Sequence, residues 1–223
     1  MDQRINRALV ACLENFDHGS DQSDLDRPMS LLTEVFESED AFMDKVSRLD
    51  EVIDAHPAYD LIREQLFDLL LMNFLAADAT KLEADYLESD EWLDIEDQTI
   101  DRGTELLNLL LYLAECADEG IEADLEDFLK EFLLVDDDEF QDEYRIYEPV
   151  IAGQILTESS YEEIGKAARN LRADQELYTL FYPLVSFFYE PHPSPADVED
   201  YMKSAPHPAV DKAVYQLIVQ YYQ

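Results

Sequence analysis

Apolar residues along this chain recur at three- and four-residue spacing. No stretch shows the sustained apolar and polar alternation, bounded by turn residues, that marks a half-buried strand. Helices are therefore expected nearly throughout. The first covers about 3–16, with Ile5, Leu9, Cys12 and Leu13 on one face, and gives way to the turn-rich run DHGSDQSDLDRP. A second covers about 29–52, with ESED as the place where it would break.

Three segments are apolar on almost every face: 61–77, 104–117 and 177–191. Such helices belong in an interior. Thr104, just after Gly103, is placed to cap the second, and Pro183 must kink the third or split it. Amphipathic candidates fill the rest at about 121–134, 139–156, 161–171, 196–203 and 209–222. About ten helices with three largely buried ones predict an all-α fold, a layered or degenerate helical-hairpin array rather than a four-helix bundle. A single helical domain over 1–223 is expected, with a division into 1–135 and 136–223 at the acidic run 136–139 as the competing reading.

Two cassettes look alike, HPAYDLIREQL at 56–66 and HPAVDKAVYQL at 207–217. A residue before proline is steered away from helical dihedrals, and proline is favoured at the first helical position. Both cassettes thus read as helix starts, with Asp60 and Asp211 in the first turn. SPADVED at 194–200 repeats the idiom without a histidine, which favours punctuation over a duplicated His/Asp site. The separation of the cassettes lies far outside the period of a solenoid repeat.

Composition changes the picture mainly through charge. The 223 residues carry 53 acids against 15 Lys and Arg, a formal −38, yet include 11 Phe, 13 Tyr and one Trp. Disordered acidic chains lack such aromatics, so a folded protein with an acidic coat is expected, one repelled by nucleic acid and anionic membranes. Cys12 and Cys116 show neither metal spacing nor a disulfide framework, and the apolar runs are too short to span a bilayer; a cytoplasmic location is the expectation.

The charge is also uneven. Residues 83–143 hold 24 acids and two bases, Arg102 and Lys130, and so carry −22 of the −38; residues 144–223 hold 11 acids and six bases. Adaptation to salt would spread charge evenly, so it is the weaker explanation. Within this third, 83–101 and 118–143 thread apolar residues among the acids: Leu87, Trp92, Leu93 and Ile95 in one, Ile121, Leu125, Phe128, Leu129 and Phe132 in the other. Each is expected to put one face on the core and its carboxylates outward, where neighbours about 5–6 Å apart repel.

Conventional chemistry is hard to find. No histidine has Glu three residues before it, and there is no HExxH, GxSxG or phosphate-binding glycine loop. A calcium loop at 94–105 has Thr99 where the sharp turn wants glycine. No cofactor is implied. The aromatic-rich end is expected to leave Tyr221 and Tyr222 exposed.

A non-enzymatic helical interaction protein is thus expected. It would bind and mask or inhibit a basic protein partner, by mimicry of nucleic acid in the narrowest form, through Asp90, Glu91, Asp94, Glu96, Asp97, Asp136, Asp137, Asp138, Glu139, Asp142 and Glu143. The bland alternative is a solvated face. A second functional reading is an enzyme or ligand-binding domain with a pocket near His56 and His207.

Overall fold

Twelve α-helices form among the residues that the computed structural model describes, namely 1–16, 26–77, 86, 88–136, 139–140 and 145–223, with the backbone alone for 26, 132–136 and 139–140. Helix α1 (Gln3–Asn15) starts where the Asp2 carboxylate accepts the Arg4 and Ile5 N–H groups at 2.7 and 3.4 Å. Helices α2 (Asp26–Glu37) and α3 (Phe42–Ala55) are separated at 38–41, as ESED suggests. A 3₁₀ turn, Pro57–Ile62, leads into α4 (Arg63–Ala76). Then come α5 (Asp90–Thr99), α6 (Leu106–Glu119) and α7 (Leu125–Leu133).

The remaining helices are α8 (Glu148–Ala152), α9 (Tyr161–Ala168), α10 (Phe181–Tyr189), α11 (Pro195–Ser204) and α12 (Pro208–Tyr222). Helix α1 packs along α12, which also lies against α10 and α6; α4 sits among α3, α6 and α1; α9 bridges α10 and α11. One apolar cluster runs through these layers from Ile5 to Tyr221. No helix among the described residues is long and apolar enough to cross a membrane.

Helices α4, α6 and α10 are central, as their apolar sequences require. In α10 every residue from Phe181 to Phe187 is buried, and Pro183 falls in the first turn, where no helical partner is lost. The apolar segment is split accordingly into a 3₁₀ turn, Glu176–Tyr178, and the helix. Helix α12 is a fourth interior element. Its Tyr215 ring stacks on Tyr201 at 4.1 Å between centroids, and Tyr201 stacks on Tyr182 at 4.6 Å. The tyrosine-rich carboxyl-terminal part is therefore an aromatic core.

Three expectations fail for definable reasons. Of the helix expected over 139–156, residues 141–144 lie outside the described residues and 139–140 are extended; α8 begins at Glu148 with Pro149 in its first turn and ends at Gly153, and a 3₁₀ turn, Gln154–Glu158, follows. The helix expected from 121 begins at Leu125. Gly120, at φ +69°, closes α6, and the Asp124 carboxylate accepts the Glu126 and Asp127 N–H groups at 2.8 and 3.3 Å. Tyr221 is not exposed: it is 1% accessible, and Tyr222 is half-buried with its hydroxyl accepting the Ala123 N–H at 3.0 Å. The carboxyl-terminal turn of α12 is packed into the fold, so position near the chain end does not imply exposure here.

Both HPA cassettes do start helical turns. Pro57 and Pro208 stand in the first turns of the 3₁₀ element and of α12, and neither preceding histidine uses its side chain as a cap. The His56 ring instead bonds the Val52 carbonyl at 2.8 Å, while the His207 N–H donates to Asp211 Oδ2 at 2.7 Å. At 194–200 a full capping box joins Ser194 and Asp197.

Candidate functional site

A short loop between α5 and α6 ties the acidic helix α5 to the core. Between α5 and α6, Arg102 reaches Asp50 of α3 at 3.0 Å and Glu64 of α4 at 3.1 Å, with its guanidinium 4.7 Å over the Phe67 ring. Arg63 joins the same group through Asp50 at 2.8 Å. Glu64 also accepts the Gly103 N–H at 2.7 Å. Next to it, buried Asp68 accepts the Thr104 N–H at 3.0 Å and the Thr104 hydroxyl at 2.5 Å. Thr104 in turn takes the Leu106 N–H at 3.2 Å, although the residue that caps α6 is Glu105, one place later than the sequence suggests, and its side chain makes no cap bond. Burial raises the Asp68 carboxyl to about 7 although these bonds oppose the rise.

This latch fixes the end of α5, and the opposite end is set by Ser89, whose hydroxyl accepts the Trp92 N–H at 3.2 Å. Only Ile95 of α5 is fully buried. Trp92 rests on the core and meets Tyr86 with 6.2 Å between ring centroids, and Tyr86 meets Phe74 at 6.5 Å. No described helix forms an extended interface along α5. Asp90, Glu91, Asp94, Glu96 and Asp97 are consequently all exposed.

The local cations are committed elsewhere. Arg102 belongs to the latch, and Lys130 pairs with Glu126 at 2.7 Å and Asp127 at 3.8 Å within α7. Among the described residues no cation forms an ion pair with any of the five α5 carboxylates; Asp94 accepts only the side-chain amide of Gln98, at 2.8 Å.

The structure brings a second acidic group together that spacing alone did not single out. Glu115 and Glu119 of α6 face Asp127 and Glu131 of α7 across a cleft of about 250 Å³, together with Tyr112, Cys116, Ile121 and Lys130. Burial, followed by the charges of Glu131 and Glu119, pushes the Glu115 carboxyl above its ordinary value. The signal was present in the sequence: each pair is spaced four residues apart on consecutive helices.

The other sequence-derived candidates are less well placed. Backbone pairing of strands β1 (Leu134–Asp136) and β2 (Glu139–Phe140) sets Asp136 opposite Glu139. Asp137, Asp138, Asp142 and Glu143 lie outside the described residues, as does Leu87. Of the apolar residues threaded among the acids, Leu125, Phe128 and Leu129 are buried, whereas Leu93 and Ile121 face outward. The core-facing reading fails at those two.

Metal-ligand geometry does not assemble among the described residues. No group of three or more His, Cys, Asp or Glu could hold a metal ion, and residues 94–99 of the calcium-loop candidate are helical. The ring of His207 lies against Tyr178 with 4.8 Å between centroids. Neither His56 nor His207 lines the cleft of about 600 Å³ between α9 and α11. No family model, curated protein or solved structure matches this chain.

Proposed function

We propose that this protein is a non-enzymatic helical interaction protein whose acidic third docks a basic partner and masks or inhibits it by occupancy. The observation that carries this reading is the state of α5. Five exposed carboxylates stand on one short helix with no described cation paired to them, while both cations of the surrounding segment are held by other acids. Carboxylates on successive helical turns repel. A cationic partner relieves that repulsion on contact, speeds its own encounter, and is released as salt screens the attraction.

The cleft between α6 and α7 adds four further carboxylates, of which Asp127 is paired with Lys130. The His56 ring bonds the Val52 carbonyl at the end of α3 and the His207 ring lies against Tyr178, so the ligand-pocket reading has no comparable support. The test is capture of a basic protein by the intact chain at low salt, followed by release as salt rises. Substitution of Asp90, Glu91, Asp94, Glu96 and Asp97 by Asn or Gln should abolish capture. Retention that ignores both salt and these substitutions would overturn the reading.

A further inference from the structure

The outward face of α5 is not uniformly charged. At 100° per residue, Ile95, Thr99 and Trp92 cluster on the inner side, in agreement with their burial. Leu93 and Ile100, the latter the capping residue just after α5 and still in helical dihedrals, lie one heptad apart and superpose within about 20°, roughly 120° from the inner side. They are 50% and 76% exposed. Glu96 flanks them on one side, and Asp97 and Asp90 flank them on the other. An aliphatic stripe bordered on both sides by carboxylates is thus presented to solvent.

We infer that this stripe docks a cationic amphipathic helix of a partner protein. The partner's apolar residues would cover Leu93 and Ile100, while its Lys and Arg reach Glu96 on one flank and Asp97 and Asp90 on the other. The inference rests on the acidic-docking reading above and narrows it. A track of phosphate surrogates has no use for aliphatic side chains at its centre, whereas helix recognition is built on anchors at i and i+7 spacing. Charge also selects the occupant. A second copy of a chain carrying −38 would set carboxylate against carboxylate across this face.

The test uses the full chain and two peptides of identical composition. One has leucines at heptad spacing among lysines; the other has the same residues in an order without an apolar face. Fluorescence anisotropy should show the patterned peptide binding about tenfold more tightly, the yield expected from covering part of two aliphatic side chains. L93S/I100S should erase that preference and leave the scrambled peptide unchanged, and the control pair L61S/I155S, also exposed, should alter neither. Because all four side chains are exposed, folding is checked simply by circular dichroism.

Equal binding of the two peptides, or a preference that survives L93S/I100S, overturns the inference. In that case acidic docking still stands if D90N/E96Q/D97N weakens both peptides. Binding of both that ignores this neutralisation overturns the two readings together. A dimer of the free chain that L93S/I100S dissolves in sedimentation assigns the stripe to a second copy, and that also overturns the inference.

Discussion

Gly103→Ala tests the latch that fixes the acidic helix to the core. Gly103 has φ +85°, and a Cβ there would stand 2.6 Å from Asp68 Oδ1. The left-handed conformation alone costs an L-residue about 1 kcal/mol. The contact adds a second cost, because the Asp68 carboxylate must leave the Thr104 N–H and hydroxyl that it holds at 3.0 and 2.5 Å. A hydrogen bond to an ionised carboxylate contributes about 1.5–3 kcal/mol, so the total loss should be about 3 kcal/mol.

Gly120→Ala supplies the reference. Gly120 has φ +69° with nothing within 4 Å of the added Cβ, so only the conformational cost of about 1 kcal/mol applies. Urea unfolding followed by circular dichroism, at a pH above 7 where Asp68 is ionised, should separate the two variants by about 2 kcal/mol at unchanged m. In an Asp68→Ala background the cost of Gly103→Ala should fall to that of Gly120→Ala. Equal losses in the two glycine variants would refute the close approach and, with it, the account of the latch.

Stability should also fall as pH rises from about 5.5 to 8. Burial raises the buried Asp211 carboxyl, like that of Asp68, to about 7, so the folded chain holds protons that the unfolded chain has released. That contribution is fully present below the unfolded value near 3.8 and is lost through pH 7; His207, lowered by burial, opposes it weakly at the acid end. Asp211→Asn should remove on the order of 1–2 kcal/mol of the fall in unfolding free energy over this pH range, and an unchanged fall would sink the assignment. Cys12, buried and pushed up to about 12, and buried Cys116, also raised, should resist an aromatic disulfide reagent until urea unfolds the chain. Stoichiometric labelling of the native protein would contradict this. Tyr222→Phe should cost about 1 kcal/mol through the lost bond to the Ala123 N–H; a loss near zero in urea unfolding would show that the bond contributes nothing. Glu96→Gln with Asp97→Asn should raise stability by a few tenths of a kcal/mol while weakening capture of cationic peptide, and a stability loss would contradict the strain assigned to these acids.

The legible parts of the fold were those in which one physical rule acts alone. Helix α4 is apolar on every face and therefore central, and Ser194 with Asp197 forms the capping box that its spacing announces. Elements failed where two rules compete. Around Val150 and Ile151 the helical spacing is realised only in the short α8, whose first turn holds Pro149 and which Gly153 ends. Helix α12 carries Asp211, Lys212, Gln216 and Gln220 and so reads as a surface helix, yet Asp211 is wholly buried. Its Oδ2 is held by the His207 N–H, and its Oδ1 has no hydrogen-bond partner among the described residues. Asp68 was invisible for another reason: the group that satisfies it, Thr104, lies 36 residues away, and no local pattern records that pairing.

The acidic face was legible in position but not in character. Segment counting located the charge, and helical spacing put the five carboxylates of α5 outward; the same spacing wrongly sent Leu93 to the core. Where the charges stand along α5 adds a physical reason to look beyond folding. Asp90 and Glu91 occupy the first turn, where an anion complements the helix dipole, but Glu96 and Asp97 occupy the last turns, where it opposes the dipole. A helix arranged only for its own stability would place cations there and an apolar residue inward at every opportunity. Here the unfavourable carboxylates border the two aliphatic side chains left in water. The two departures from the stable arrangement coincide on one face, so a single partner with cationic edges and an apolar centre would relieve both.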